Sequence, residues 1–295
     1  MKHFFLLIRP VAVFLFTANS SFGQNKNRSD GAIRLFEPVP SAFDLATQII
    51  EASGIADSKA NPGFLWVHED SGNPPQLHLL SHNGKKKKTI YLKNAANRDW
   101  EDMALANGPL PERKYIYLGE IGDNNAVHGE VSFYRFEEPS FTADTITEYD
   151  VIRFKYEDGP RDAEAFLVDN DSRDIFIITK REKKSRVYQL IYPYRLSEIN
   201  EARFVLELSY SGVVSAAISA DAKEIIIKTY SRLFYYTRMP GQTIPEALQR
   251  QYLPLDYQIE PQGEAVCFSS DSSGFYTLSE KRMSLWQKLY FYKRK

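Results

Sequence analysis

Beyond residue 52 the chain alternates short apolar stretches with polar turns in a pattern that returns five times. Each return opens on small and apolar residues around a Glu or a Ser: ASGIA at 52–56, WEDMA at 100–104, AEAFL at 163–167, VSAAI at 214–218 and GEAVC at 263–267. A second stretch follows at 64–68, 115–120, 175–180, 224–229 and 275–279, and a third at 76–80, 131–136, 186–192, 233–236 and 285–292. Fourth stretches stand at 89–92, 151–156, 203–208 and 251–255, and the fifth return has none. Runs of this length, rich in β-branched and aromatic residues and bounded by turn residues such as Asn83-Gly84, predict strands joined by hairpins.

Four strands in every 40 to 50 residues or so is the sequence signature of a β-propeller. The count predicts an all-β fold of five blades in a single domain over 24–295. Segment 33–36 would supply the missing outer strand of the last blade, closing the ring by pairing the N- and C-terminal strands and leaving no long free edge. Six blades are the alternative, because the interval from Glu101 to Glu164 is longer than the others; the excess, around 137–149, reads as a loop insertion. The one helical pattern is a short one near 42–52.

The first 23 residues change the picture of where the chain works. A basic start, an apolar stretch interrupted at Arg9-Pro10, and a small-residue exit to Gly23 read as a secretory signal peptide, so the mature chain is expected to be secreted or periplasmic. The apolar stretch is too short and broken to span a bilayer. Cys267 is the only cysteine, which excludes an intrachain disulfide and reads as a small buried hydrophobe. Net charge is −1 with acids and bases interspersed, which argues against a nucleic-acid partner. The run Lys85 to Lys88 follows Asn83-Gly84 and reads as a solvated turn. A monomer acting on a small molecule or a saccharide is expected.

Rotational closure would bring the opening segments to one axis, so Ser53, Glu101, Glu164, Ser215 and Glu264 are the candidate metal ligands. Converging carboxylates repel one another and lose solvation, and a cation relieves both. Hard oxygen donors suit Ca²⁺ better than Zn²⁺, and the five histidines show no zinc-binding spacing. The competing reading has these glutamates capping amides or pairing with Lys180, Arg181 and Lys228. The fourth position is ambiguous: spacing from Asp221 points to Val214, apolar matching points to Ala216, and only Ser215 offers a side-chain oxygen. The ends of the second strands form another ring, from which Glu69, Glu120, Lys180, Arg181 and Lys228 are the candidate catalytic residues. Acids that activate water beside bases that hold an anion suit hydrolysis of a charged substrate.

The segments Asp99-Trp100-Glu101-Asp102-Met103-Ala104, Ile121-Gly122-Asp123-Asn124 and Asp162-Ala163-Glu164-Ala165 resemble those of secreted bacterial propeller proteins, some related to phytase-like domains. The order Ser53, Glu101, Glu164, Ser215, Glu264 is also similar to that of the calcium-activated nucleotidases, five-bladed apyrases whose axial Ca²⁺ is ringed by serine and glutamate. That resemblance implies an axial Ca²⁺ and places Lys180, Arg181 and Lys228 near phosphate-holding positions; the rest of the nucleotide-binding signature is not evident. The expected function is therefore a calcium-dependent hydrolase of a phosphorylated or other anionic substrate. A glycoside hydrolase using a channel carboxylate pair and a non-catalytic binding propeller are the alternatives.

Overall fold

The computed structural model describes residues 34–45, 49–281 and 287–295. The expected signal segment and Ile33 lie outside the described residues. Strand β1 (Ser41–Asp44) comes first. The first repeat then forms β2 (Ala52–Asp57), β3 (Phe64–Glu69), β4 (Gln76–Ser81) and β5 (Lys86–Leu92). The second forms β6 (Trp100–Asn107), β7 (Lys114–Glu120), β8 (Val131–Glu137), the short β9 (Thr145–Ile146) and β10 (Asp150–Tyr156). The third forms β11 (Ala163–Val168), β12 (Ile175–Thr179), β13 (Arg186–Leu190) and β14 (Asn200–Glu207). The fourth has β15 (Val213–Ile218), β16 (Glu224–Thr229), β17 (Leu233–Thr237), helix α1 (Ile244–Leu248) and β18 (Leu253–Pro254), and the fifth has β19 (Gly263–Phe268), β20 (Gly274–Ser279) and β21 (Lys288–Lys293). The fold is all-β and propeller-like, with α1 the one α-helix among the described residues.

Within each repeat successive strands pair antiparallel, β9 excepted, so β2, β6, β11, β15 and β19 each stand at the edge of a sheet, β6 and β11 at the two ends of one eight-stranded sheet. These inner strands touch in order, β2 with β6, β6 with β11, β11 with β15, β15 with β19, and β19 back to β2. Apolar clusters fill the spaces between consecutive sheets. Trp66, Ile90, Trp100 and Ile116 pack between the first and second, and Tyr117, Phe133, Phe154, Phe166 and Ile177 between the second and third. Phe176, Ile178, Ile225 and Phe234 fill the next space, with Ile244 and Leu248 of α1 sealing it. The aromatic strand residues are thus packing residues, each burying on the order of 150–250 Å².

The two ends of the described residues meet, but mainly through a different segment from the one expected. Ser41–Asp44 pairs with β21, Ser41 opposite Phe291 and Asp44 opposite Lys288, whereas Phe36 makes only a single bridge to Arg294. The expected helix near 42–52 is corrected by the same pairing: Phe43 packs on Leu289 and its neighbours, and extended backbone gives β21 a ladder partner that a helix cannot. Gly84 helps seat β1. Its φ of +79° closes the hairpin turn, and a Cβ there would stand 2.5 Å from the Asp44 carbonyl oxygen. The insertion at 137–149 is more than a loop, because β9 within it pairs parallel to β5 of the preceding repeat. A second parallel contact, β10 with β14, joins the outer strands of repeats two and three.

Candidate functional site

One local irregularity recurs in every repeat. Where the inner strand begins, its pairing with the second strand slips by one residue: between Ala52 and Gly54, Trp100 and Met103, Ala163 and Ala165, Val213 and Ser215, and Gly263 and Ala265. A β-bulge turns the extra side chain away from the pleat direction of its neighbours. The residues at the slip are Ser53, the pair Glu101 and Asp102, Glu164, Val214 and Glu264. This resolves the ambiguous fourth repeat: Val214 stands at the bulge, and Ser215 takes the register of Gly54, Met103, Ala165 and Ala265.

The bulges bring three glutamates together at the entrance of the channel. Glu101, Glu164 and Glu264 are 6%, 5% and 7% exposed, which leaves little water to stabilise their charges. Burial, then the charges of Glu164, Asp70, Asp99 and Glu264, pushes Glu101 well above the carboxylate range. Burial lifts Glu164 to about 7 against the opposing pull of the Lys180 ammonium, which is ion-paired to it. Burial and the Glu280 charge lift Glu264 to about 8. Lys180 Nζ also lies 3.1 Å from Tyr230 Oη, which donates to Glu264 Oε1 at 2.7 Å, so one chain of polar groups links two of the carboxyls.

The side chains that draw closest around Glu101 are Asp70 and Asp99. One carboxylate oxygen from each of the three lies within 4.8 Å of the others. Burial, then Asp99, Glu280 and Glu51, raises Asp70 to about 6; Asp99 is raised by burial and then by Asp162. No hydrogen-bond donor reaches the Glu101 carboxylate among the described residues. Gly122 stands against the cluster without a side chain, and a Cβ there would collide with Glu101 Oε1 and Asp99 Oδ2. The donors are all hard oxygens, which fits Ca²⁺ or Mg²⁺ completed by water or substrate oxygens, and does not fit Zn²⁺.

The remaining predicted residues are held in other work. Ser53 Oγ donates to the Glu101 carbonyl at 2.5 Å and stitches β2 to β6. Ser215 Oγ donates to Asp102 Oδ1 at 3.1 Å and accepts from the Val266 amide at 3.1 Å, so it faces the strand ring rather than the three glutamates. Glu69 accepts from the Ile50 amide at 2.8 Å and lies 2.9 Å from His78 Nε2; burial acts against its charge, but these partners hold it below the ordinary value. Glu120 accepts the Arg98 and Asp99 amides at 3.0 and 2.7 Å and thereby sets the loop that carries Asp99. The three bases expected to hold an anion each have acidic neighbours within the protein, Lys180 at Glu164, Arg181 at Asp162 and Lys228 near Glu260. Lys228 is wholly buried, donating to Tyr257 Oη at 2.6 Å and to the Gly263 carbonyl at 2.7 Å, with Glu260 3.6 Å away. An ammonium that lies against backbone in this way is out of a ligand's reach.

Neither the metal nor the catalytic set read from the sequence includes Asp70, Asp99, Asp102, Tyr230 or Glu280, although Asp70 and Glu280 belong to the ring at the ends of the second strands and Asp99 and Asp102 to the segment that carries the resemblance. Three of them carry a signal: one residue past the aligned strand ends Glu69, Glu120, Thr179, Thr229 and Ser279, the chain reads Asp70, Ile121, Lys180, Tyr230 and Glu280. Asp99 precedes its inner strand as Asp162 does. No protein-family model matches the chain, and no curated protein matches it. Among solved structures it is similar to a luciferin-regenerating enzyme at a TM-score of 0.50 and 11% identity, over 86% of this chain and 95% of that one. At that identity the likeness is one of fold, a β-propeller-like arrangement of sheets.

Proposed function

We propose that the chain is a five-bladed propeller that holds a divalent cation, Ca²⁺ by the hardness of its donors, between Asp70, Asp99 and Glu101, and that it hydrolyses an anionic substrate there. The observation that carries this reading is the Asp70, Asp99 and Glu101 cluster, in which the largely buried Glu101 side chain accepts from no donor among the described residues. The five four-stranded runs and the cyclic contacts of their inner strands support the blade count, and the pattern at 1–23 supports export. Bound at the cluster, a divalent cation supplies charge compensation and polarises a substrate oxygen. The mouth is otherwise acidic, so an anion needs that charge in order to approach. Lys180, ion-paired to Glu164, orients that carboxyl. Glu164, at about 7, accepts or returns a proton near neutral pH, as a general base or acid must. Glu264, which accepts from the Tyr230 hydroxyl and is lifted to about 8, keeps a second acid at hand.

A second reading, glycoside hydrolysis, is favoured by the same two proton-holding carboxyls, which need no metal. Two measurements separate them. Ca²⁺ should raise the melting temperature of the protein, because a ligand of the native state stabilises it by mass action, and Glu101→Gln should abolish that rise. Turnover of phosphoesters should be lost on chelation. An unchanged melting temperature with and without Ca²⁺ rejects the cation site, and chelator-resistant cleavage of aryl glycosides moves the function to the second reading.

A further inference from the structure

The far end of the channel is a second concavity, unlike the acidic mouth. The C-terminal halves of all five inner strands line a cavity of about 110 Å³, with Ile55, Leu105, Phe166, Ile218 and Phe268 contributing one from each repeat. It is somewhat smaller than the roughly 150 Å³ apolar cavity that accommodates benzene. Asp102, with the Ser215 hydroxyl and Ala216 amide bonded to it, stands between the two ends.

Three charged residues border this cavity: Asp57, Lys59 and Lys114. Asp57 is already committed, with His82 Nε2 at 2.6 Å on one oxygen and the Ser270 amide at 2.6 Å on the other. Glu138, nearby, accepts from Ser58 Oγ, the Lys59 and Ala60 amides and Trp66 Nε1. The lysines are not compensated in the same way. Lys114 Nζ donates to Asn107 Oδ1 at 2.6 Å, and the Lys59 ammonium forms no ion pair among the described residues. Both lysines line the cavity, and burial, then the neighbouring Lys59 charge, lowers the Lys114 pKa against a weaker opposing pull from Glu138. Two like charges at the lip of an apolar cavity are relieved by an anion between them.

We infer that this end of the channel binds a small amphipathic monocarboxylate, with an apolar body of about four to six carbons in the cavity and its carboxylate between Lys59 and Lys114. The site is distinct from the cation cluster and does not depend on it. Hexanoate titrated into the full chain, followed by calorimetry and by amide shifts of residues 55–57, 103–106 and 216–218, should saturate, with hexan-1-ol and hexylammonium at least about fivefold weaker. The Lys59→Gln, Lys114→Gln double variant should bind hexanoate no better than hexanol while melting close to the parent, since neither lysine holds a buried ion pair. Ile218→Trp, which narrows the cavity, should weaken hexanoate and hexanol alike. Equal affinity for acid and alcohol, undiminished hexanoate binding in the double variant, or no saturation by hexanoate would each overturn the assignment.

Discussion

Asp102 is the carboxylate on which the inner strands converge. It is wholly buried, and it accepts the Ala216 amide at 3.0 Å, its neighbour Met103 at 2.9 Å and the Ser215 hydroxyl at 3.1 Å, which in turn takes the Val266 amide. Strands β6, β15 and β19 are thus tied through one side chain. Burial pushes its pKa well up although every one of these donors favours the charge. Asp102→Ala leaves buried donors unpaired and should cost about 2–4 kcal/mol in urea unfolding, whereas Asp102→Asn, which keeps an acceptor oxygen, should cost less than half as much. A loss equal for both variants would show that the acceptor role is not what matters. Asp102 escaped the sequence because its type occurs at that place in one repeat only, while Glu recurs at 101, 164 and 264. Lys228 misled for the opposite reason: it aligns with a mouth position, but its register partner is Ser215, one step inside the bulge.

At the scale of the element, the bulge at the start of each inner strand decides which side chains share the channel. It holds carboxyls where charge is costly, and that sets a pH dependence. Glu164 and Glu264 rise from the ordinary 4.5 to about 7 and about 8, so the folded protein keeps protons that the unfolded chain has released. Their contribution to stability is complete below about pH 4.5 and is lost as pH climbs through 7 and 8. In metal-free buffer the melting temperature should therefore fall by several degrees between pH 5 and pH 8, and Glu264→Gln should flatten that fall; a melting curve that rises over this window contradicts the assignment. The strands themselves were legible because runs rich in β-branched and aromatic residues, bounded by turn residues, are local signals. The bulge was not, because a slip of one residue in pairing leaves the order of apolar positions almost unchanged. Nor was the β5 and β9 pairing, where only a partner from another repeat gives Thr145–Ile146 a reason to be extended.

For the whole molecule the decisive contact is β1 on β21, which brings Ser41–Asp44 against Lys288–Phe291. Closure by the two ends was legible from a missing fourth strand, but the choice of segment was not, since 33–36 and 41–44 both supply apolar residues and only packing on Leu289 separates them. Phe43→Pro removes a ladder donor and that packing together. It should lower the melting temperature and produce concentration-dependent dimers in sedimentation velocity, because β21 then offers an unpaired edge to a second chain; a variant that stays monomeric and melts like the parent would show that closure lies elsewhere. The same contact fixes an order of events. Strand β1 has no ladder partner until β21 has been made, so the repeats between them are synthesised as an open arc that is latched only when β21 arrives. Local hairpins can form early, but the final step must close a loop of nearly the full chain, and its slow, entropic character makes the latch the step at which folding competes with association.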